Sequence, residues 1–247
     1  MGRELRRLLL SPARLAAAAA TGVVTLQPPE LHYLARVLRL RPDDSFAVVD
    51  GAGRLWEASL VDGAAQLHQP QAEPLQHQPA PRTRLQLAFA PPRRDAEVLL
   101  RMATELGIDA LQPLLAERSV AERWNAVRAE GLVREAVEQC ERLWSPELTP
   151  PCPARDCFAG ASGLRLLATT RSHALPQLEG LLAEHNPGAG FPVSVAIGPE
   201  GGWSPDEEQA ALAQGWMAVQ LGPTILRTST AAVAAATLLV NWRQRER

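Results

Sequence analysis

The residues of this chain best suited to chemistry sit in two glycine-proline turns near the C-terminus: Ile197-Gly198-Pro199-Glu200-Gly201-Gly202-Trp203 and Leu221-Gly222-Pro223-Thr224-Ile225-Leu226-Arg227-Thr228-Ser229-Thr230. Each follows an apolar, strand-like run and precedes a helix-like one. Turns of this kind, at one edge of a parallel sheet, offer backbone N–H and C=O groups where open α/β sheets bind nucleotide-like ligands. A single glycine-proline turn is well explained as strand-to-helix punctuation. A pair at the same sheet edge weakens that explanation. Neither turn matches GxGxxG or a P-loop, so neither a dinucleotide site nor an ATP site of those types is indicated.

Other chemistries are bounded by composition. All 25 basic residues are Arg, which excludes Schiff-base and other Lys-dependent mechanisms. Cys140, Cys152 and Cys157 form an odd set without a His at zinc-finger spacing, and the five His residues make no HExxH pattern, so no metal site is expected. The formal charge of −2 carries no global polyanion-binding signature. Residues 1–41, however, hold seven arginines against Glu4 and Glu30, a local basic patch that serves equally as a solvated face or a nucleic-acid contact. Pro12 and Arg14 interrupt the apolar stretch that a secretory signal would need, and no apolar run reaches the ~20 residues of a membrane span. A soluble, cytoplasmic protein is the expectation.

The elements that must position the two turns follow from periodicity. Phe46–Val49 and Leu55–Val61 flank Asp50-Gly51-Ala52-Gly53 as a hairpin, and Leu31–Leu38 reads as a short helix. Residues 66–81, rich in Gln, Pro and His, mark a boundary, giving a small β-rich module over 1–80 and a second domain over 81–247. In the second domain, strands are expected at Leu85–Ala90, Ile108–Leu115, Leu164–Thr170, Pro192–Ile197 and Trp216–Leu221. Helices are expected at Asp95–Leu106, Glu122–Arg142, Leu175–Glu184, from Ser204 to Gly215, and at Thr230–Trp242. Asp95 is read as a cap, with Val98, Leu99, Met102 and Leu106 as the buried stripe behind it. Ser204, Pro205 and Glu207 make a capping box with Pro at the first helical position. Such alternation gives an α/β fold, a mostly parallel sheet with helices on both faces.

The two C-terminal motifs resemble the SPOUT superfamily of RNA methyltransferases and, within it, the bacterial family that methylates N3 of a uridine in 16S ribosomal RNA. The similarity extends upstream through Ala103–Gly107, Pro113-Leu114, Glu117-Arg118-Ser119 and Glu138-Gln139-Cys140 with Arg142, and through His32 to Arg39 and Asp50-Gly51-x-Gly53. Nearly the whole chain is covered. The resemblance implies an N-terminal PUA-like β-barrel that binds RNA, a C-terminal SPOUT sheet with a trefoil knot, S-adenosylmethionine as cofactor, and a homodimer acting on 16S ribosomal RNA or the small ribosomal subunit.

Carried onto this chain, the resemblance makes Ile197, Gly198, Pro199, Glu200, Gly201, Gly202, Leu221, Gly222, Ile225, Leu226 and Thr228 cofactor-binding, with Thr169 at a neighbouring strand end. The glycines permit close backbone approach, and Leu221, Ile225 and Leu226 form an apolar slot for adenine. Methylation at N3 needs a proton to leave and negative charge to spread over the flanking carbonyl oxygens. Arg227 is the candidate donor for that charge and Glu200 a candidate proton acceptor; alternatively, Arg227 and Glu200 pair simply to brace the loops. Arg6, Arg7, Arg36 and Arg39 are candidates for phosphate contacts, and Arg118 and Arg142 for approach to the target nucleotide, which must be unstacked or already exposed. Two positions depart from the family: Ser229 stands where Glu is usual, and Glu141 where Gly is usual. Ser229 leaves the proton acceptor open and motivates a rival reading, an RNA-binding ribosome-assembly factor with weak or no catalysis. A second rival, transfer-RNA ribose 2′-O-methylation, is disfavoured because Leu226-Arg227-Thr228 stands where those enzymes usually carry an Asn-containing motif.

Overall fold

From Leu85 onward, β-strands and α-helices alternate in a computed structural model that describes residues 5–119, 124–170, 175–185 and 190–245. The chain groups into two compact units, Met1–Ala80 with Arg134–Ser145, and Pro81–Val133 with Pro146–Arg247.

The first unit holds β1 (Arg7–Leu9), β2 (Val23–Thr25), β3 (Ser45–Val49), β4 (Arg54–Val61), β5 (Ala64–Leu67) and β6 (Gln76–His77), with helices α1 (Pro12–Ala17) and α2 (Pro28–His32). The sheet order is β1-β3-β4-β5-β2, with β6 beside β4. All pairs are antiparallel except β1 with β3. The hairpin expected around Asp50–Gly53 is β3-turn-β4. The expected helix over Leu31–Leu38 is instead the end of α2 running into a π-helical turn at Tyr33–Val37. Both faces of β3 are covered, which its continuous apolar run requires. Phe46 and Val48 join Trp56, Leu8, Leu34 and Leu67, while Ala47 and Val49 meet Leu55 and Leu143.

One carboxyl in this unit carries a pH signature. Glu138 is buried, its Oε1 accepts a hydrogen bond from the Leu9 N–H at 2.8 Å, and burial pushes its pKa up to about 7. A carboxyl raised in the folded state binds a proton that the unfolded chain lacks between pH 4.5 and 7, so stability rises as pH falls through that window. Chemical denaturation at pH 8 and pH 5 is expected to show wild-type stability gaining up to ~3 kcal/mol relative to Glu138→Gln. Equal pH responses in the two proteins would refute the assignment. Glu30, buried nearby against Arg14 and accepting the Gln27 N–H, shifts the opposite way and leaves this window untouched.

The second unit holds β7 (Leu85–Phe89), α3 (Ala96–Leu106), β8 (Ala110–Leu115), α4 (Ala126–Gln139, whose last residues count with the first unit), β9 (Glu147–Leu148), β10 (Cys152–Pro153), α5 (Ala154–Gly160), β11 (Leu164–Ala168), α6 (Leu178–Ala183), β12 (Val193–Ile197), α7 (Pro205–Ala213), β13 (Met217–Val219) and α8 (Thr228–Gln244). The sheet runs β10-β8-β7-β12-β11-β13 with β9 also beside β8, and every pair is parallel. Helices cover both faces, as the alternation requires. On one, α8 packs on α3 and α6 and against β7 and β12. On the other, Ala88, Leu114, Leu167 and Ala196 meet Phe158, Ala211, Trp203 and Trp216.

Small residues make up much of the buried face of α8. Ala231, Ala232, Ala235 and Ala236 are buried and continue into Leu239 and Val240 at helical spacing. This partner also resets the face of α3: Leu99, Leu100, Ala103 and Thr104 are buried, whereas Val98 and Met102 are exposed, contrary to the stripe expected. The Thr104 hydroxyl is satisfied by the Leu100 carbonyl at 2.8 Å, so a polar residue sits in the buried stripe. Asp95 does not cap α3, because its φ of 66° lies in the left-handed region and its side chain makes no cap bond. The capping box at Ser204 and Glu207 is present in both directions, at 3.1 and 2.9 Å. Of the long helix expected over 122–142, positions 122 and 123 lie outside the described residues.

Candidate functional site

The strand β11 lies between β12 and β13 with its end level with theirs: Ala168 is opposite both Ile197 and Val219. The chain leaving β12 enters the first glycine-proline loop, and the chain leaving β13 enters the second. The two loops therefore flank Thr169, and the three strand ends enclose a pocket of about 180 Å³. All twelve residues expected to bind the cofactor line it: Thr169; Ile197 to Gly202; and Leu221, Gly222, Ile225, Leu226 and Thr228.

Three residues fix the loops. Trp203 is buried, its indole N–H donates to the Ala168 carbonyl at 3.0 Å, and its ring stands edge-on to Phe158 at 5.5 Å. A Cβ on Gly198 would stand 3.0 Å from that ring, so any larger residue there would have to displace the tryptophan behind it. Thr228, also buried, donates its hydroxyl to the Gly198 carbonyl at 2.9 Å and ties the second loop to the first. Arg118 lines the pocket but directs its guanidinium at the carbonyls of Gly201 and Trp203, at 3.3 and 3.1 Å. Trp203 and Arg118 as loop braces were not foreseen from the sequence; an aromatic ending a glycine loop was the available signal for the first.

Gly202 and Gly222 meet the pocket differently. A Cβ on either would stand in open space, so their bareness leaves pocket volume and backbone exposed. At Gly202 the φ of 72° adds a conformational reason. Backbone amides, aliphatic side chains at Ile197, Leu221, Ile225 and Leu226, and two carboxylates make a lining suited to an adenosine-bearing, cationic ligand.

Arg227 holds the N-cap position of α8, exposed, between two pocket-lining residues but not itself in the lining. Among the described residues it has no ion pair, and none joins it to Glu200. Glu200 is exposed and its Oε1 accepts the Arg93 N–H at 3.3 Å. Ser229 occupies the first turn of α8, half-buried.

The basic residues of the first unit separate. Arg6, Arg36 and Arg39 are exposed, whereas Arg7 is only 13% exposed and pairs with Glu141 at 2.9 Å. Glu141 has a φ of 62°, the left-handed region where glycine is favoured, which gives the usual Gly a physical reason and shows what Glu adds: an anchor for Arg7. Arg142 follows it, half-buried. Among the described residues, no group of three metal-ligating side chains is assembled, and no helix is long and apolar enough to cross a membrane.

Comparison with known proteins gives this geometry a family. Residues 78–240 match the family model for an RNA methyltransferase domain, and residues 26–64 match that for an RNA methyltransferase PUA domain. The chain is 40% identical over 243 residues to the ribosomal RNA small subunit methyltransferase E of Synechocystis sp., covering 93% of this chain and 75% of that protein. The chain belongs to the ribosomal RNA small subunit methyltransferase E family. A second relative with that name, from Mycobacterium bovis, is 32% identical and covers 86% of this chain and 84% of its own. Among solved structures, the ribosomal RNA small subunit methyltransferase E of Neisseria gonorrhoeae, bound to S-adenosyl methionine, superimposes with a TM-score of 0.77 at 26% identity, over 96% of this chain and 98% of that one. A probable rRNA methyltransferase from Porphyromonas gingivalis shares the fold, with a TM-score of 0.80 at 24% identity over 98% and 100% of the two chains.

Proposed function

We propose that this protein uses S-adenosylmethionine to methylate N3 of a specific uridine in 16S ribosomal RNA of the small subunit. The carrying observation is that the two C-terminal loops and the end of β11 bring all twelve expected cofactor residues around one pocket in a chain of the methyltransferase E family. The cofactor, when bound, supplies the methyl group. The protein's part is to hold it and to prepare the acceptor. Ile197, Leu221, Ile225 and Leu226 form the apolar surface for adenine, and Gly202 and Gly222 let the backbone approach. Arg227, without an ion-pair partner among the described residues, stabilises from the N-terminus of α8 the negative charge that develops on the uracil carbonyl oxygens. Glu200 or solvent takes the N3 proton, since Ser229 without an adjacent base cannot.

In this reading, residues 1–80 form a PUA-like barrel that positions RNA through Arg6, Arg36 and Arg39, with Arg7, Arg118 and Arg142 shaping the surface or reaching the nucleotide. Residues 81–247 form the SPOUT domain with a C-terminal knot, and a cytoplasmic homodimer is the working unit. Mass spectrometry of 16S RNA from a deletion strain tests the function: N3-methyluridine is expected to disappear and to return on complementation, and an unchanged level refutes it. Ser229 keeps one second reading in play, a non-catalytic assembly factor. Retained RNA binding with no calorimetric signal for S-adenosylmethionine would favour it.

A further inference from the structure

Three ionisable side chains line the pocket, and two are accounted for. The Arg118 guanidinium holds the carbonyls of Gly201 and Trp203, and exposed Glu200 accepts the Arg93 N–H. The third, Glu208, is half-buried in the first turn of α7, and the Thr169 hydroxyl donates to its Oε1 at 2.9 Å. Thr169 follows the last residue of β11 and also lines the pocket, so that bond ties two lining side chains to each other. Among the described residues no cation pairs with Glu208. A half-buried pocket-lining carboxylate, fixed by a neutral donor and without a counter-charge among the described residues, points to a positive partner that arrives with the ligand.

We propose that Glu208, oriented by Thr169, is a positioning residue that pairs with a positive group of the methyl donor. The inference rests on the cofactor reading above. S-adenosylmethionine offers two such groups, the sulfonium and the α-ammonium. Its demethylated product, S-adenosylhomocysteine, keeps only the ammonium. The nucleoside 5′-methylthioadenosine has neither. A carboxylate in this place therefore grades the three ligands by charge, while the aliphatic slot holds the nucleoside they share. Glu208 also lies near the N-terminus of α7, where an acidic residue is favoured by the helix dipole alone; that role would move stability and no ligand affinity selectively.

The test is calorimetric titration of the full-length protein and its Glu208→Gln variant with the three ligands, alongside thermal unfolding. The Gln side-chain oxygen can still accept from Thr169, so the fold is retained and the melting temperature should move by only a few degrees. Binding of S-adenosylmethionine is expected to weaken by about tenfold, the equivalent of ~1.4 kcal/mol, while 5′-methylthioadenosine stays within twofold. Parallel weakening of S-adenosylhomocysteine assigns the partner as the ammonium, and its retention assigns the sulfonium. Unchanged affinity for S-adenosylmethionine, or an equal loss for the neutral nucleoside, overturns the proposal. A wild-type protein that binds none of the three would instead overturn the cofactor reading, so the two failures are distinct. Thr169→Val, which frees the carboxylate without removing it, should give an intermediate loss for the charged ligands only.

Discussion

Arg227→Ala is expected to lower methyl transfer by about 10²–10³-fold while leaving the dissociation constant for S-adenosylmethionine within a few-fold. Arg227 stands between Leu226 and Thr228, both of which line the pocket, but its own side chain is exposed and takes no part in the lining. The buried hydroxyl of Thr228, anchored on the Gly198 carbonyl, holds the backbone beside it, so the arginine projects from a fixed point. Its guanidinium is free among the described residues and shares the N-terminal end of α8 with unpaired backbone N–H groups, which add positive potential where a uracil anion would form. Two parallel N–H donors match charge spread over a planar oxygen-bearing ring better than an ammonium does, so Arg227→Lys should recover only part of the loss. Single-turnover methylation and calorimetry, run on the same preparations, check this. If turnover and cofactor affinity fall together, Arg227 is a loop brace, although the absence of an ion pair with Glu200 already removes the simplest form of that role.

The pocket was more legible in the sequence than the fold around it. Glycine-proline turns between strand-like and helix-like runs are local signals, and the residues of both turns fall around one cavity because parallel strands end level with one another. What the sequence lacked was the tertiary partner. The face of α3 could not be read from its own periodicity, since Val98 and Leu100 are both apolar, and it is α8 with its alanine stripe that selects Leu100 and Ala103 for burial. Asp95 carries the right side chain for a cap, but its own backbone is left-handed, and geometry overrides residue type. Trp203 illustrates the same limit within the site. Its indole reaches back to Ala168, thirty-five residues earlier, a bond that no local pattern encodes. Glu208 is another case: among three acids in the first turn of α7, Glu207 closes the capping box and Asp206 meets Arg155, and it is Thr169, a distant residue in the sequence, that ties Glu208 to the pocket.

Gly53→Ala is expected to destabilise the protein by about 4 kcal/mol and to lower its melting temperature by ~10 °C. The residue sits in the turn between β3 and β4 with a φ of 93°, outside the region that an alanine accepts comfortably. Space is the larger obstacle. An added Cβ would lie 2.3 Å from the Gln78 carbonyl oxygen and 2.8 Å from the Trp144 ring. Neither neighbour can yield alone, because the Gln78 N–H donates to the Gly53 carbonyl at 2.8 Å, the Trp144 indole donates to the Gln78 carbonyl at 3.0 Å, and the Gly53 N–H donates to the Leu143 carbonyl at 2.9 Å. One turn residue thus fastens both the segment containing Gln78 and the segment 143–144 to the hairpin, and a methyl group there strains all three bonds together. Gly51→Ala is the internal comparison. Its φ of 67° is similarly left-handed, but its Cβ would meet the Ser145 side chain at 3.0 Å and Leu9 Cδ1 at 3.1 Å, and these side-chain atoms give more readily than a carbonyl held in place by its neighbours. Thermal and urea unfolding of the two variants should therefore separate them, with Gly51→Ala losing about half as much. If Gly53→Ala loses less than ~1 kcal/mol, the Gln78 carbonyl is free to move and the hydrogen bonds converging on it contribute little to holding this turn.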